Sequence, residues 1–240
     1  MLTLFHVDDL PTKIGAHYTL DGDAGHHAAR VLRMSVGESL MLSDGRGAWS
    51  KVRVVEVDKK SVELKVLVSG FQNAPATSIT VIQAVTKGER SKEAIELMTE
   101  AGVGCIVPWQ ALRSIGKVVK GVGKLREAAK EASQQSRRFW LPEVTEVVDT
   151  DGALALIKGA DLAIVFHEEA MRKLSDLLEG SAPVTSVVLV IGPEGGITDD
   201  ELASMQEAGA KVALLGRPIL RSTHAGIAAI SAVSTALRIW

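Results

Sequence analysis

At 240 residues, with 46% hydrophobic and 23% charged residues, the chain suits one large or two modest globular domains. A formal net charge of -2 excludes a wholly basic nucleic-acid binder, so any RNA contact must use local patches. With only 4% aromatic residues, no stacking platform for single strands is obvious. Cys105 is the only cysteine, which rules out an intrachain disulfide and a cysteine-based zinc cluster. The opening residues, with Asp8 and Asp9, do not read as a signal peptide, and no run approaches the roughly 18 apolar residues of a membrane span. A cytoplasmic protein without membrane attachment is expected.

The first 71 residues read as β-rich. Short strands are expected at 2–7, 38–43, 48–58 and 61–70, separated by turn chemistry such as Asp44-Gly45 and Asp58-Lys59-Lys60. One short helix, about Gly25 to Met34, interrupts them. A small barrel is the natural way to protect so many strand edges. Residues 70–78, with Gly70, Asn73 and Pro75, read as a linker. From 72 onward the pattern becomes α/β. Apolar runs at 79–85, 105–109, 162–166, 186–191 and 211–215 alternate with helical patterns at 91–101, 122–136, 168–179, 199–208 and 223–238. That alternation implies a mostly parallel sheet covered on both faces. Between 113 and 138 the chain is locally basic, with Arg113, Lys117, Lys120, Lys124, Arg126 and Lys130 ahead of Arg137 and Arg138. Such a stretch suits a phosphate backbone, or simply a solvated helix face.

Three segments carry candidate chemistry. The first is Ile191-Gly192-Pro193-Glu194-Gly195-Gly196-Ile197-Thr198, which leaves a strand and enters a helix. Its glycines let the backbone approach a ligand, Thr198 with Glu201 forms a capping-box pattern, and Gly209 marks the helix end. The loop lies at the carboxyl end of a strand, where open α/β sheets bind ligands. It lacks the Lys-Ser/Thr of a phosphate loop, and Glu194 would repel phosphate. A neutral or cationic ligand fits better, and S-adenosylmethionine, with its sulfonium, is of that kind. The second segment runs from Leu214 to Arg221 and enters a small-residue helix that Ser222 or Thr223 is placed to cap. The third is His26-His27-Ala28-Ala29-Arg30-Val31-Leu32-Arg33-Met34, in which Arg30 and Arg33 would share a helix face and suit phosphate. Its two histidines are adjacent and do not form a metal-ligand pattern, so no metal is expected.

In this order the segments resemble the RsmE family of methyltransferases. The resemblance is carried by His27-x-x-Arg30-Val31-Leu32-Arg33-Met34-x-x-Gly37, Ser43-Asp44-Gly45, Lys87-Gly88-Glu89-Arg90, Glu100-Ala101-Gly102-Val103, Gln135-Ser136-x-Arg138 with Pro142, the 191–196 loop, and 214–221. It spans nearly the whole chain. It implies a PUA-like RNA-binding β-barrel over 1–71, followed by a SPOUT methyltransferase domain over 72–240 with a deep trefoil knot. It also implies a homodimer and methylation of N3 of a uridine in small-subunit (16S) ribosomal RNA. The sequence departs from the family pattern at Thr223, where many relatives carry Glu, at Leu97, where lysine is frequent, and at Gln134, which replaces Glu.

The chemistry needs N3 aligned with the cofactor's methyl group and its proton removed. Arg221 is the expected stabiliser of the oxyanion developing on the ring, with Glu194 toward the cofactor's positive side or the proton, and Arg138 or Arg33 on phosphate. His224 is a further candidate base. The expected cofactor site is formed by Phe166 and His167, by Ile191, Gly192, Pro193, Glu194, Gly195 and Gly196, and by Leu215, Gly216, Ile219, Leu220 and Arg221. The three loops that carry these residues should converge on one pocket. Expected RNA contacts are Arg30, Arg33, Lys87, Arg90, Arg137 and Arg138. Two alternatives stay open: a knotted methyltransferase acting on transfer RNA, and a non-catalytic RNA-binding assembly factor that kept the fold; a third, a nucleotide-phosphate-binding α/β enzyme, is disfavoured by Glu194 and the missing Lys-Ser/Thr.

Overall fold

The computed structural model describes residues 2–116 and 121–240; Lys117 and Lys120 of the basic stretch lie outside the described residues. The chain divides into two compact units. One comprises the residues up to Ala74 together with Ser133–Leu141, and the other comprises Pro75–Ala132 with Pro142–Trp240.

The first unit is a five-stranded sheet. Strands β1 (Leu4–His6), β2 (His17–Leu20), β3 (Ser39–Ser43), β4 (Ala48–Val57) and β5 (Val62–Phe71) lie in the order β1-β3-β4-β5-β2. All neighbours are antiparallel except β1 and β3. Alternation fixes its inner face: Val52, Val54, Val62, Leu64 and Val66 are buried while Arg53 and Lys65 are exposed. Strand β2 adds to the expected set. Its burial is confined mainly to Leu20, so its apolar signal is faint.

Between β2 and β3 the expected single helix is instead two pieces, α1 (Gly22–His26) and a wider π-turn over His27–Val31. The Leu32 N–H reaches the His27 carbonyl at 2.9 Å. Arg33 then takes φ +53 and ends the turn, which lets the Met34 N–H return to the Ala28 carbonyl at 3.0 Å. Arg33 therefore stands outside the helix and does not share a helical face with Arg30. Residues 133–141 complete this unit. Phe139 stacks on Trp49 with ring centroids 5.8 Å apart, and the Trp140 indole donates to the Gln72 carbonyl at 2.8 Å. Gly47, at φ +97, makes room for Trp140, because a Cβ there would lie 2.8 Å from the indole ring.

The second unit is a six-stranded parallel sheet. Its strands are β6 (Ser78–Ala84), β7 (Cys105–Trp109), β8 (Glu143–Val144), β9 (Leu162–Phe166), β10 (Ser186–Ile191) and β11 (Lys211–Ala213), in the order β11-β9-β10-β6-β7-β8. Strand β10 is thus inserted between β6 and β9, both of which precede it in the chain. Both faces are buried, so the strands read as continuous apolar runs. Val187, Leu189 and Ile191 of β10 belong to one core layer with Met98, Ile230 and Val233, and Val188 and Val190 to the other with Ile157 and Met205.

The helices are α2 (Arg90–Glu100), α3 (Gly123–Ser136), α4 (Thr150–Lys158), α5 (Leu174–Leu178), α6 (Asp199–Glu207) and α7 (Ser222–Ala236). Helix α4 and strand β8 are additions to the expected elements. The helix expected over 168–179 shrinks to Leu174–Leu178. The chain before it is held by β-type pairing, with the Leu214 N–H on the Arg172 carbonyl at 2.8 Å and the Leu174 N–H on the Leu214 carbonyl at 3.0 Å. Among the described residues no helix is long and apolar enough to cross a membrane, and no group of three or more His, Cys, Asp or Glu side chains is placed to hold a metal ion.

Candidate active site

The three strand-exit loops of the second unit meet. Residues following β9, β10 and β11 line one cavity of about 790 Å³, within the roughly 300–1,000 Å³ of small-molecule sites. Every residue expected at a cofactor lies on it: Phe166 and His167, Ile191 through Gly196, Leu215, Gly216, Ile219, Leu220 and Arg221. The location follows from the sheet. Strands β9, β10 and β11 are parallel neighbours, so their carboxyl ends emerge side by side.

The loop after β10 is shaped by short-range chemistry. A turn closes with the Gly196 N–H on the Pro193 carbonyl at 3.0 Å, and Gly196 takes φ +76. Ile197 is buried beneath it; a Cβ on Gly192 would lie 2.8 Å from Ile197 Cγ1. The loop ends in the expected capping box, in which the Thr198 hydroxyl accepts from the Glu201 N–H and the Glu201 carboxylate accepts from the Thr198 N–H.

Glu201 does more than cap. It is 3% exposed, and its other oxygen, Oε1, accepts the Leu112 N–H at 2.9 Å and the Thr150 hydroxyl at 3.2 Å. The buried carboxylate therefore ties the loop after β10 to the loop after β7 and to the start of α4. Burial of a charge is tolerable there because both oxygens are satisfied by donors.

The loop after β11 is tied down at its far end. Ser222 or Thr223 was expected as a helix cap, yet both lie inside α7, whose N-cap is Arg221, and the Ser222 hydroxyl donates instead to the Gly192 carbonyl at 2.7 Å. Its oxygen accepts from Gln83 Nε2 at 2.9 Å. Gln83 is the polar residue in the otherwise apolar end of β6, and it is buried. Ile219 is 76% exposed, so the apolar tip of this loop faces solvent beside the cavity. In the loop after β9 the His167 Nδ1 accepts the Glu169 N–H at 3.2 Å.

Of the residues expected to be catalytic, Arg221 and Glu194 line the cavity, while Arg138 belongs to the first unit and is not among the lining residues. Burial pulls the Arg138 guanidinium down to about 10. Arg30, Arg33 and Arg137 also belong to the first unit. All three are exposed; the Arg30 Nε donates to the Lys59 carbonyl at 3.0 Å. Lys87 and Arg90 belong to the second unit and are exposed at the start of α2, where Arg90 Nη1 lies 3.5 Å from Glu194 Oε1. His224, the further candidate base, is 3.7 Å from Glu93 and does not line the cavity.

Arg113 and Asp199 line the cavity but were not among the expected site residues. Arg113 stands on the basic stretch, and only the fold brings it over the 191–196 loop. Gln83 and Glu201 support the site from behind. The signal for Gln83 was an amide at the end of a buried strand.

Comparison with known proteins agrees with this geometry. Residues 72–234 match the model of an RNA methyltransferase domain, and residues 20–67 that of an RNA methyltransferase PUA domain. The chain is 38% identical to ribosomal RNA small subunit methyltransferase E of Mycobacterium bovis, over 99% of this chain and 93% of the relative. It is 29% identical to the protein of that name from Bacillus subtilis, over 97% and 93%. Among solved structures it is similar to a Legionella pneumophila methyltransferase in complex with S-adenosylmethionine, with a TM-score of 0.88, 26% identity and 98% of each chain covered. It is also similar to ribosomal RNA small subunit methyltransferase E of Neisseria gonorrhoeae bound to S-adenosylmethionine, with a TM-score of 0.86, 27% identity and 98% of each chain.

Proposed function

This chain belongs to the ribosomal RNA small subunit methyltransferase E family, and from that membership we propose that it methylates N3 of a uridine in small-subunit ribosomal RNA using S-adenosylmethionine. The observation that carries the reading is the meeting of three strand-exit loops around one cavity.

The residues present fit the cofactor. Gly192, Gly195 and Gly196 leave a cradle that side chains would fill, Phe166, Leu215 and Leu220 offer apolar surface, and Glu168, Glu169, Glu194 and Asp199 offer negative charge to a cation. When bound, S-adenosylmethionine supplies an already activated methyl group. What remains for the protein is positioning and charge. Arg221, immediately before α7 on the cavity wall, offers its guanidinium to the oxyanion that develops on the uracil ring as N3 loses its proton. Glu194 on the opposite loop serves the positive side of the cofactor, and any role in proton removal has to compete with its Arg90 partner. Arg33, Arg137 and Arg138 are assigned to phosphates of the RNA.

Residues 1–71 are read as a PUA-like RNA platform and 72–240 as the catalytic SPOUT domain. A trefoil knot is supported by the insertion of β10 between two earlier strands. A homodimer is supported by α7, whose Ala228, Ser231, Ala232 and Thr235 line a groove of about 700 Å³. The protein acts in the cytoplasm, where its substrate is.

The test is transfer of labelled methyl from S-adenosylmethionine to unmodified small ribosomal subunits, with the product nucleoside identified. Label at N3 of a small-subunit uridine is the expected result. Label on transfer RNA, or no transfer at all, overturns the reading. By calorimetry, Gly196→Trp should abolish cofactor binding, and unchanged affinity would refute the placement.

A further inference from the structure

The loop after β7 is held more tightly than a connection needs to be. Residues 111–114 form a turn, with the Ser114 N–H on the Ala111 carbonyl at 3.0 Å and Arg113 third in it. The Gln110 amide donates to the Gly116 carbonyl at 3.2 Å. Gly116 is pressed on the backbone of β6's exit; a Cβ there would lie 2.1 Å from the Thr86 carbonyl oxygen, so no other residue fits. The buried Glu201 carboxylate holds the Leu112 N–H. What these restraints display is a guanidinium. Arg113 lies over the glycine loop: a Cβ on Gly195 would meet its carbonyl oxygen at 3.0 Å, and its Nη1 is 3.4 Å from the Gly195 carbonyl. That hydrogen bond is long and therefore weak. Arg113 makes no ion pair among the described residues, although it lines the cavity.

We propose that Arg113 is a ligand-binding residue of this site that grips an oxyanion, and that Glu201 is the residue that positions it. The oxyanion has two sources of the same chemistry: the carboxylate of the cofactor or a phosphodiester of the RNA. A guanidinium in a fixed turn suits either, because its donors match paired oxygens. Glu201 has no substitute in glutamine. Its two oxygens accept four hydrogen bonds, and an amide offers one acceptor oxygen, so either the Leu112 and Thr150 donors or the Thr198 donors would face an NH₂ group.

The inference rests on the cavity being the methyltransferase site, and the experiment separates the two. Wild type, Arg113→Ala, Glu201→Gln and the double variant are titrated with S-adenosylmethionine by calorimetry and assayed for methyl transfer to unmodified small subunits. A wild type that neither binds nor transfers overturns the reading of the cavity and this inference with it. With an active wild type, Arg113→Ala should weaken one ligand about tenfold or more, the scale of a lost hydrogen bond to a charged group. A raised cofactor Kd assigns the carboxylate. A raised KM for subunits with a shallower salt dependence assigns the phosphate. If neither changes, Arg113 is not a ligand-binding residue. Arg113 is exposed, so its variant keeps the fold and this arm stands even if Glu201→Gln does not. Glu201→Gln should reproduce the same loss, and adding it to Arg113→Ala should cost less than about twofold more. Losses that multiply would show that Glu201 does not act through Arg113.

Discussion

Arg90 Nη1 sits 3.5 Å from Glu194 Oε1, which joins the first turn of α2 to the glycine loop of the cavity. One turn further along the same helix, Glu93 lies 3.7 Å from His224 near the start of α7. Helix α2 therefore meets two of the segments that build the site, through pairs exposed enough for solvent to weaken them, the second an ion pair only when His224 is protonated.

Removing Arg90 leaves Glu194 uncompensated beside the cavity. The side chains are 56% and 28% exposed, so the effect on stability should stay below about 1 kcal/mol. The effect on ligands should depend on their charge. Arg90→Ala should tighten S-adenosylmethionine, whose sulfur is cationic, by a few-fold at low salt, and leave the neutral thioether S-adenosylhomocysteine unchanged. Calorimetry with both ligands checks this. Equal shifts for the two would show that the Glu194 charge does not face the sulfur.

Gly226 gives a packing prediction. A Cβ there would lie 2.6 Å from the sulfur of Met98, which is fully buried, and 3.3 Å from Gln83 Oε1. Alanine gains up to about 1 kcal/mol over glycine in a helix, while overpacking costs about 1–3 kcal/mol. With a Cβ this close to a fully buried sulfur, the overpacking cost should exceed the helix gain, and Gly226→Ala should be destabilising by up to about 3 kcal/mol in urea unfolding. Its cost should largely vanish in a Met98→Ala background, where the new methyl enters vacated space. A single variant as stable as the wild type would refute the contact.

The parts of the molecule legible in sequence are those set by neighbours along the chain. The 191–198 loop, its capping box and the strand exits at 166 and 215 each carry their signal within a few residues, and the cavity they form was expected from them. What was not legible depends on distant partners. Nothing near Glu201 says that its second oxygen meets Leu112, and nothing near Phe139 and Trp140 says that they pack on Trp49 and Gly47. The helix expected over 168–179 failed because Arg172 and Leu174 spend their backbone groups on Leu214, forty residues away. The shared face of Arg30 and Arg33 failed because local spacing does not reveal a π-turn.

Asp161 sets a pH dependence. Its carboxylate accepts the Thr185 hydroxyl at 2.7 Å and the N–H groups of Thr185 and Ser186 at 2.9 and 3.0 Å, joining the approach to β9 to that of β10. These hydrogen bonds, the Thr185 hydroxyl foremost, hold its pKa down at about 2, against 3.8 ordinarily. A depressed carboxylate stabilises the fold fully above its unfolded value, and the contribution is lost as pH falls through about 2. The stability gap between wild type and Asp161→Asn should be constant near neutrality and narrow from about pH 4 downward. Carboxyl-carbon NMR should place the Asp161 midpoint near 2, and a midpoint near 4 would refute it.

Arg33 and Arg137 offer a separation of stability from function. Both follow helix ends in the first unit with left-handed backbone, at φ +53 and +58, a conformation glycine adopts without penalty. In each, the next residue's N–H closes the helix end, Met34 on Ala28 and Arg138 on Ser133. Side chains exist at these positions despite about 1 kcal/mol of backbone strain each. The strain is accounted for if the guanidinium is needed. Arg33→Gly and Arg137→Gly should each raise stability by up to about 1 kcal/mol, and each should weaken binding to small-subunit RNA while lowering its salt slope by about one. Thermal melts and filter binding at several salt concentrations give the two signs. If RNA affinity is kept while stability rises, these arginines are helix terminators only, and the phosphate contacts lie elsewhere on the first unit.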